Sequence, residues 1–270
     1  MTRGNVLRFG LIAMVGLYFV VPMLAMARFA FQKTPVALLT PATLLDRWSL
    51  SGLFDALGEP KLHHAAWVSA QLAVLAVLVN LALLLPLSIA VELYYPRAKG
   101  PLTLITLLPW VIPPIALVVG IAATFRTLAP WFLASPLSLV PFYALTAMPF
   151  TYRALDAGLQ SIGAKTLNEA ARSLGARTWT ILFRVLIPNL SASLIASSVL
   201  TVALVLGEFT FAALLLKDTL PTYMVNYQRG AARAGIALAL AVMVLTSILL
   251  WFVVRLMRRR GLETTLGGVG

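Results

Sequence analysis

Long uninterrupted apolar runs are the feature that most limits how this chain can fold. The 270 residues are 60% hydrophobic and only 11% charged, whereas a soluble domain carries about 25% charged residues. The apolar residues are concentrated in runs near or above the roughly 20 residues that cross a bilayer core. Because a backbone in lipid must satisfy its hydrogen bonds within a helix, these runs predict an all-α membrane protein.

Six of these runs predict six transmembrane helices in a single domain, residues 1–270. Prolines are frequent inside them, and Pro109, Pro113 and Pro114 predict a broken helix beside a pathway, because proline removes a backbone hydrogen bond. A general excess of proline in membrane helices is the simpler explanation. The approximate bounds of the spans are Phe9–Phe29, Ala66–Val91, Leu102–Phe125, Leu137–Tyr152, Leu190–Leu206 and Ile236–Val254.

Arginines near both ends of the chain predict cytoplasmic termini. Arg3 and Arg8 precede the first span, and Arg255 and Arg258–Arg260 follow the sixth, which is the positive-inside pattern. The polar segment 153–188 is then also cytoplasmic, and residues 261–270 are predicted to be a mobile tail. The alternative is that the first span is a cleaved secretory signal, which would leave five spans.

The composition excludes several classes of site. The chain has no cysteine, so disulfides and cysteine-based metal or redox sites are excluded. His63 and His64 have no carboxylate at a useful spacing, and no nucleophile motif such as G-x-S-x-G is present. The net charge of +12 is explained by cytoplasmic lysine and arginine beside membrane spans, so it does not indicate nucleic-acid binding.

A polar, helix-forming segment, Thr166–Pro188, interrupts the apolar sequence. Thr166 and Glu169 have the spacing of a capping box that begins a short helix, and Gly175 suits a left-handed residue just past its end. Thr178 then predicts the cap of a second helix that ends before Pro188. Helices this short are marginal in water, so this two-helix elbow needs a partner surface, on this chain or on another.

The elbow resembles the signature loop of ABC importer permeases, and the resemblance extends over about residues 66–255. It implies a type I (MetI-like) permease fold in which the elbow is a coupling loop that docks on a cytoplasmic ATPase subunit. The alternative is that the elbow only covers the cytoplasmic face of its own subunit. The residues that carry the match or would contact the ATPase are Glu169, Ala170, Ala171, Arg172, Gly175 and Pro188, with Val185 and Ile187 in the ending of the motif.

The resemblance also implies the partners of the chain. They are two copies of an ABC ATPase subunit, a second permease in a homodimer or heterodimer, and an external substrate-binding protein, assembled in a bacterial inner membrane. ATP and Mg²⁺ would be used by the ATPase, so this chain would bind no cofactor and would not be an enzyme. The stretch Gly158–Thr166 misses the phosphate-loop motif by one residue, Ala164, and is interpreted as a coincidence.

The candidate substrate pathway rests on Glu208, Phe209, Phe211 and Asn80. A carboxylate near the bilayer centre is costly and usually faces a cavity or a partner. Glu208 therefore either attracts a cationic substrate or pairs at the outer interface with Lys217, Arg229 or Arg233. For Asn80 the sequence favours a hydrogen bond between helices over a place in the pathway. The sequence around Glu208 resembles that of spermidine and putrescine permeases. Permeases for iron(III), thiamine and phosphonate are similar, so these are the alternative substrates. The rival function is a secondary transporter driven by an ion gradient, which would show inverted repeats.

Overall fold

The computed structural model describes residues 3–33, 40 and 47–259, and the regular elements in these ranges are helices. The predicted tail, 261–270, lies outside them. The α-helices are α1 (Arg3–Phe31), α2 (Ser51–Leu57), α3 (Pro60–Leu93), α4 (Lys99–Val111), α5 (Pro114–Leu128), α6 (Pro130–Ala134), α7 (Val140–Ser161), α8 (Ala164–Ser173), α9 (Thr178–Thr180), α10 (Ile187–Asn189), α11 (Ser191–Gly207), α12 (Thr210–Leu214), α13 (Leu220–Gly230) and α14 (Ala232–Arg259). The all-α prediction is confirmed.

Three of the described helices are long and apolar enough to cross a membrane alone, at Arg8–Phe31, Pro60–Leu93 and Ala232–Phe252. Two bent helix pairs raise this number to five if each pair is one span. The predicted fourth span corresponds to α7, which runs nine residues past Tyr152 and carries charged residues there. Six transmembrane helices are therefore not confirmed by length and composition.

The predicted third span is broken between α4 and α5. The two helices meet at 92°, and the break falls at Ile112 and Pro113, which have extended backbone conformations. A residue before proline is disfavoured in the helical conformation, and the two consecutive prolines Pro113 and Pro114 place this restriction on adjacent positions. The broken helix predicted from the proline cluster is confirmed.

Contacts divide the chain into two compact units. One unit combines the N-terminal residues through His64 with Tyr223–Leu245. Its small core joins α1 to α14 through Ala30, Ala237 and Leu240. Arg233 Nη1 donates a hydrogen bond to the Lys33 carbonyl over 2.9 Å, which fastens the end of α1 to the start of α14.

The other unit combines Ala65–Thr222 with the residues after Leu245. Its helices α7 and α11 pack most extensively, and Gly158 on α7 lets Ser193 of α11 approach closely: a Cβ at Gly158 would lie 2.6 Å from the Ser193 Cβ. The hydroxyls of Thr151 and Thr201 form a buried hydrogen bond of 3.1 Å between the same helices. The first helix of the elbow, α8, follows α7 in the chain, and α4 of the broken span packs against α7.

Candidate functional site

The first helix of the elbow, α8, begins after a left-handed glycine that precedes Thr166. Gly163 has φ 61° and is the N-cap residue of α8, and no side chain caps this end of the helix. The predicted capping box at Thr166 is therefore wrong: Thr166 already lies inside the first turn. A glycine adopts this conformation without steric cost, so the helix begins where α7 can reverse direction, before the threonine.

The other end of α8 is closed by a Schellman motif, as the sequence predicts. Gly175 has φ 78°, its N–H donates to the Arg172 carbonyl at 2.9 Å, and the Ala176 N–H donates to the Ala171 carbonyl at 3.0 Å. These are the two hydrogen bonds of the motif, and they satisfy carbonyls at the helix end. The prediction for Gly175 is confirmed in its conformation.

The second half of the elbow differs from the prediction at both ends. Its N-cap is Arg177, with no capping side chain, so Thr178 is the first helical residue. The segment Thr178–Asn189 is helical throughout and widens into a π-helix over Ile181–Leu186. Pro188 lies in α10 and does not end the segment. We attribute this to the π-helical turn, which changes the carbonyl that the proline ring meets. The next helix, α11, begins after a bend of 68°.

The elbow has one face packed on its own chain and one face exposed. Ala164 and Ala171 join a buried cluster with Leu159 of α7 and Leu186 of the π-helical stretch. On the opposite face Glu169 and Ala170 are exposed, and Leu174 at the tip is 88% exposed. An exposed leucine at a tightly capped helix end is a suitable contact for another protein.

Arg172 fastens the elbow to the end of α3. Its Nη2 donates to the Tyr94 hydroxyl over 2.8 Å, and its Nε donates to Asn168 Oδ1 over 3.3 Å. The sequence placed Arg172 with the ATPase contacts, and the structure also gives it this contact within the chain. The sequence interpretation assigned no contact to Tyr94, because a partner 78 positions away leaves no pattern in the sequence.

A cavity of about 350 Å³ lies at the break between α4 and α5. Three of the four predicted pathway residues line it, namely Glu208, Phe209 and Phe211, together with Trp110 and Thr146, which the sequence interpretation missed. Trp110 Nε1 donates to the Thr146 carbonyl of α7 over 2.9 Å. This bond holds the end of α4 at the wall of the cavity.

Glu208 caps a short helix beside this cavity. Its Oε1 accepts a hydrogen bond of 3.0 Å from the N–H of Phe211, in the first turn of α12. Among the described residues it forms no ion pair, and Lys217 instead donates to the carbonyls of Leu133 and Ala134. Desolvation by burial lowers the pKa of Lys217. One oxygen of the Glu208 carboxylate is therefore used in a hydrogen bond with the backbone of its own chain.

Asn80 does not line the cavity. Its side chain is completely buried, and neither its oxygen nor its nitrogen has a hydrogen-bond partner among the described residues. The hydrogen bond between helices that the sequence suggested for Asn80 does not form. A buried amide without partners is costly.

A cluster of charged residues that the sequence interpretation missed lies near the elbow. Lys99 at the start of α4 forms ion pairs with Glu92 of α3 and with Asp156 of α7. The Lys99 Nζ to Asp156 Oδ1 distance is 3.3 Å. The acids are separated by 64 positions along the chain, so the cluster depends on tertiary packing.

Comparison with known proteins places the chain among transport proteins. Residues 82–261, including the elbow and the cavity, match the family described as the binding-protein-dependent transport system inner membrane component. The sulfate transport system permease protein CysW of Synechococcus elongatus is 29% identical over 170 residues, and the match covers 59% of each chain. The putative 2-aminoethylphosphonate transport system permease protein PhnV of Salmonella typhi is 27% identical, over 86% of this chain and 92% of that protein.

Solved structures show the same fold. A chain of a bacterial ABC transporter involved in the import of the acidic polysaccharide alginate is 18% identical, with a TM-score of 0.68 and 95% of this chain covered. The same kind of transporter in complex with an alginate pentasaccharide-bound periplasmic protein gives a TM-score of 0.64 over 97% of each chain. Polyamine permeases are not among these relatives. The chain belongs to the family of binding-protein-dependent transport system inner membrane components.

Proposed function

We propose that this chain is the permease subunit of an ATP-driven importer in a bacterial inner membrane, with both termini in the cytoplasm. The exposed face of the elbow carries the proposal, because Glu169 and Leu174 are presented on a helix with both ends fixed by left-handed glycines. The family match supports the same function. The comparisons do not favour the alternative of an ion-gradient-driven transporter.

The partners follow from this function. Two copies of an ATPase subunit use ATP and Mg²⁺ and receive the elbows, while a second permease, identical or different, completes the pathway. A substrate-binding protein delivers the substrate from outside. The phosphate-loop near-miss has no part in this scheme, because Gly158 lies inside α7 against α11 and a phosphate-binding loop precedes a helix.

For the substrate we propose a small oxyanion of the sulfate or phosphonate type, in place of the polyamine suggested by the sequence. The support comes from the relatives, whose names specify sulfate and 2-aminoethylphosphonate transport. The use of Glu208 as a helix cap agrees with this, because one carboxylate oxygen already accepts a backbone hydrogen bond. The other oxygen of Glu208 is buried without a hydrogen-bond partner among the described residues, so the cap gives a role to one of its two oxygens.

One experiment tests both parts of the proposal. Cells lacking the chain are complemented with it and supplied with labelled sulfate, 2-aminoethylphosphonate or spermidine, while its tagged form is purified to identify the ATPase that accompanies it. We expect restored uptake of one of the oxyanions and none of spermidine. Leu174→Asp should remove the ATPase and the uptake together, because it places a charge on the docking tip.

Leu216→Asp is the matched control. Leu216 is 90% exposed and has a positive φ of 53°, which aspartate tolerates, and in the proposed topology it lies on the external side of the membrane. This variant should retain its ATPase. If Leu174→Asp retains the ATPase as well, the docking proposal is wrong. Uptake of spermidine without either anion would refute the proposed substrate class.

A further inference from the structure

The two ion pairs described in the structure meet at one residue, Lys99. Its ammonium contacts the carboxylate of Glu92 in the last turn of α3 and Asp156 Oδ1 of α7. The Glu92 side chain is 8% exposed, and Asp156 uses its other oxygen to accept a 2.6 Å hydrogen bond from Gln160. The cluster therefore joins three helices: the end of α3, the start of α4 and the C-terminal third of α7.

Glu92 occupies an unfavourable position without Lys99. A buried carboxylate is costly, and the C-terminal end of a helix carries a partial negative charge that repels it. A cation from α4 offsets both effects, whereas removal of that cation leaves an uncompensated buried charge. The position of α4 is thus tied electrostatically to the end of α3.

The helix α4 is attached to α7 near both of its ends. Lys99 pairs with Asp156 at the first residue of α4, and the Trp110 indole donates to the Thr146 carbonyl near the last. Trp110 and its neighbour Pro109 line the cavity. The thirteen residues of α4 span about 20 Å, so a rigid displacement at Lys99 reaches the cavity wall.

The elbow is connected to the same corner by two routes. The helix α7 continues into α8 through Ile162 and Gly163, and Arg172 of α8 donates to the hydroxyl of Tyr94, two residues beyond Glu92. The first route joins α8 to the end of α3 through Arg172, and the second joins α7 to α4 through Asp156 and Lys99. Both routes consist of direct contacts between helices.

We propose that the Glu92–Lys99–Asp156 cluster is the joint that carries movement of the elbow to α4 and to the cavity wall. Lys99 is accordingly a positioning residue for ATP-coupled transport. This inference rests on the proposed function, in which an ATPase moves α8. Transmission by a chain of packed helices is convincing only if both ends respond to one perturbation, and the test is designed for that condition.

The test measures movement of the cavity wall directly and needs no substrate. The chain has no cysteine, so Ile112→Cys, on the cavity lining, introduces a single thiol. This thiol can be labelled with a membrane-impermeant maleimide in the reconstituted complex. Labelling is measured on the gel band of this chain, without nucleotide and after trapping with ATP and vanadate. We expect nucleotide to change the labelling rate, and Lys99→Gln to reduce that change about five-fold or more, the lower end of typical coupling between sites.

Three variants separate transmission from folding. Lys99→Arg keeps the charge and should keep the response, and Arg97→Gln changes an exposed cation in the same turn and should also keep it. The double variant Glu92→Gln, Lys99→Gln removes the buried charge together with its partner, so it should fold and bind the ATPase but still lose the response.

The outcomes distinguish this inference from the proposed function. A full response in the double variant, or no nucleotide response at Ile112 with Lys99 intact, would overturn the role of the cluster. Failure of the unmodified chain to bind an ATPase would instead overturn the proposed function. An unchanged ATPase rate with a lost response in Lys99→Gln is the result that supports the joint.

Discussion

Gly158→Ala should destabilise the packing of α7 on α11. The new Cβ would lie 2.0 Å from Ser193 Oγ and 2.6 Å from Ser193 Cβ. The hydroxyl can rotate away, but the Cβ is fixed by the backbone, so the helices must separate. Overpacking of this kind costs about 1–3 kcal/mol, and the higher helix propensity of alanine returns up to about 1 kcal/mol. Because both Cβ atoms are fixed by the backbone, the cost falls in the upper part of that range, about 2–3 kcal/mol, so the expected net loss is about 1–2 kcal/mol.

The loss is measured on the purified chain in detergent, as the temperature at which half of the monodisperse protein remains after heating. For a chain of this size, about 1–2 kcal/mol corresponds to a decrease of about 2–8 °C. Gly120→Ala is the matched control, because Gly120 also lies inside a helix, α5, and a Cβ there meets no atom within 4 Å. Adding Ser193→Gly removes both clashing atoms and should restore most of the loss. Equal melting of the two alanine variants would refute the packing argument.

Two further substitutions test the elbow and the cavity. Gly175→Ala forces a Cβ into the left-handed conformation of φ 78°, which costs about 1–2 kcal/mol, so we expect less ATPase to co-purify. The control is Gly100→Ala, at a position in α4 where a Cβ meets no atom within 4 Å. Equal recovery of the ATPase with both variants would contradict the role of this turn. Glu208→Gln keeps an oxygen that can accept from the Phe211 N–H and should preserve anion uptake. Glu208→Ala removes this hydrogen bond, which is worth about 1 kcal/mol, and should lower the melting temperature. A large loss of uptake in Glu208→Gln alone would show that the charge of Glu208 acts in transport.

Local sequence signals predicted the parts of the site that depend on local structure. Gly175 was identified because a helix end and a left-handed glycine are adjacent features, and the proline cluster identified the break before α5 for the same reason. Thr166 was misplaced because the chain reversal at Gly163 depends on how α7 and α8 pack. Pro188 was misread because the π-helical turn before it has no clear sequence signal.

Contacts between distant residues were not predictable from one sequence. Lys99 pairs with Asp156, and Arg172 with Tyr94, across 57 and 78 positions, and no periodicity marks either pair. Glu208 shows a different difficulty. Its charge was noticed, but a carboxylate that bonds the backbone three residues ahead has the same sequence signature as one that faces a substrate.

Because left-handed glycines lie at both ends of α8, sequence change in this helix is limited more strictly by its length than by its composition. Gly163 and Gly175 fix where the ten-residue helix begins and ends, and each residue turns it by about 100°. A single inserted residue before Glu169 would rotate that side chain away from its present direction, even with every outward residue unchanged. Substitutions on the outer face leave the direction intact, so this helix tolerates point mutations of its outward residues more readily than an insertion or a deletion.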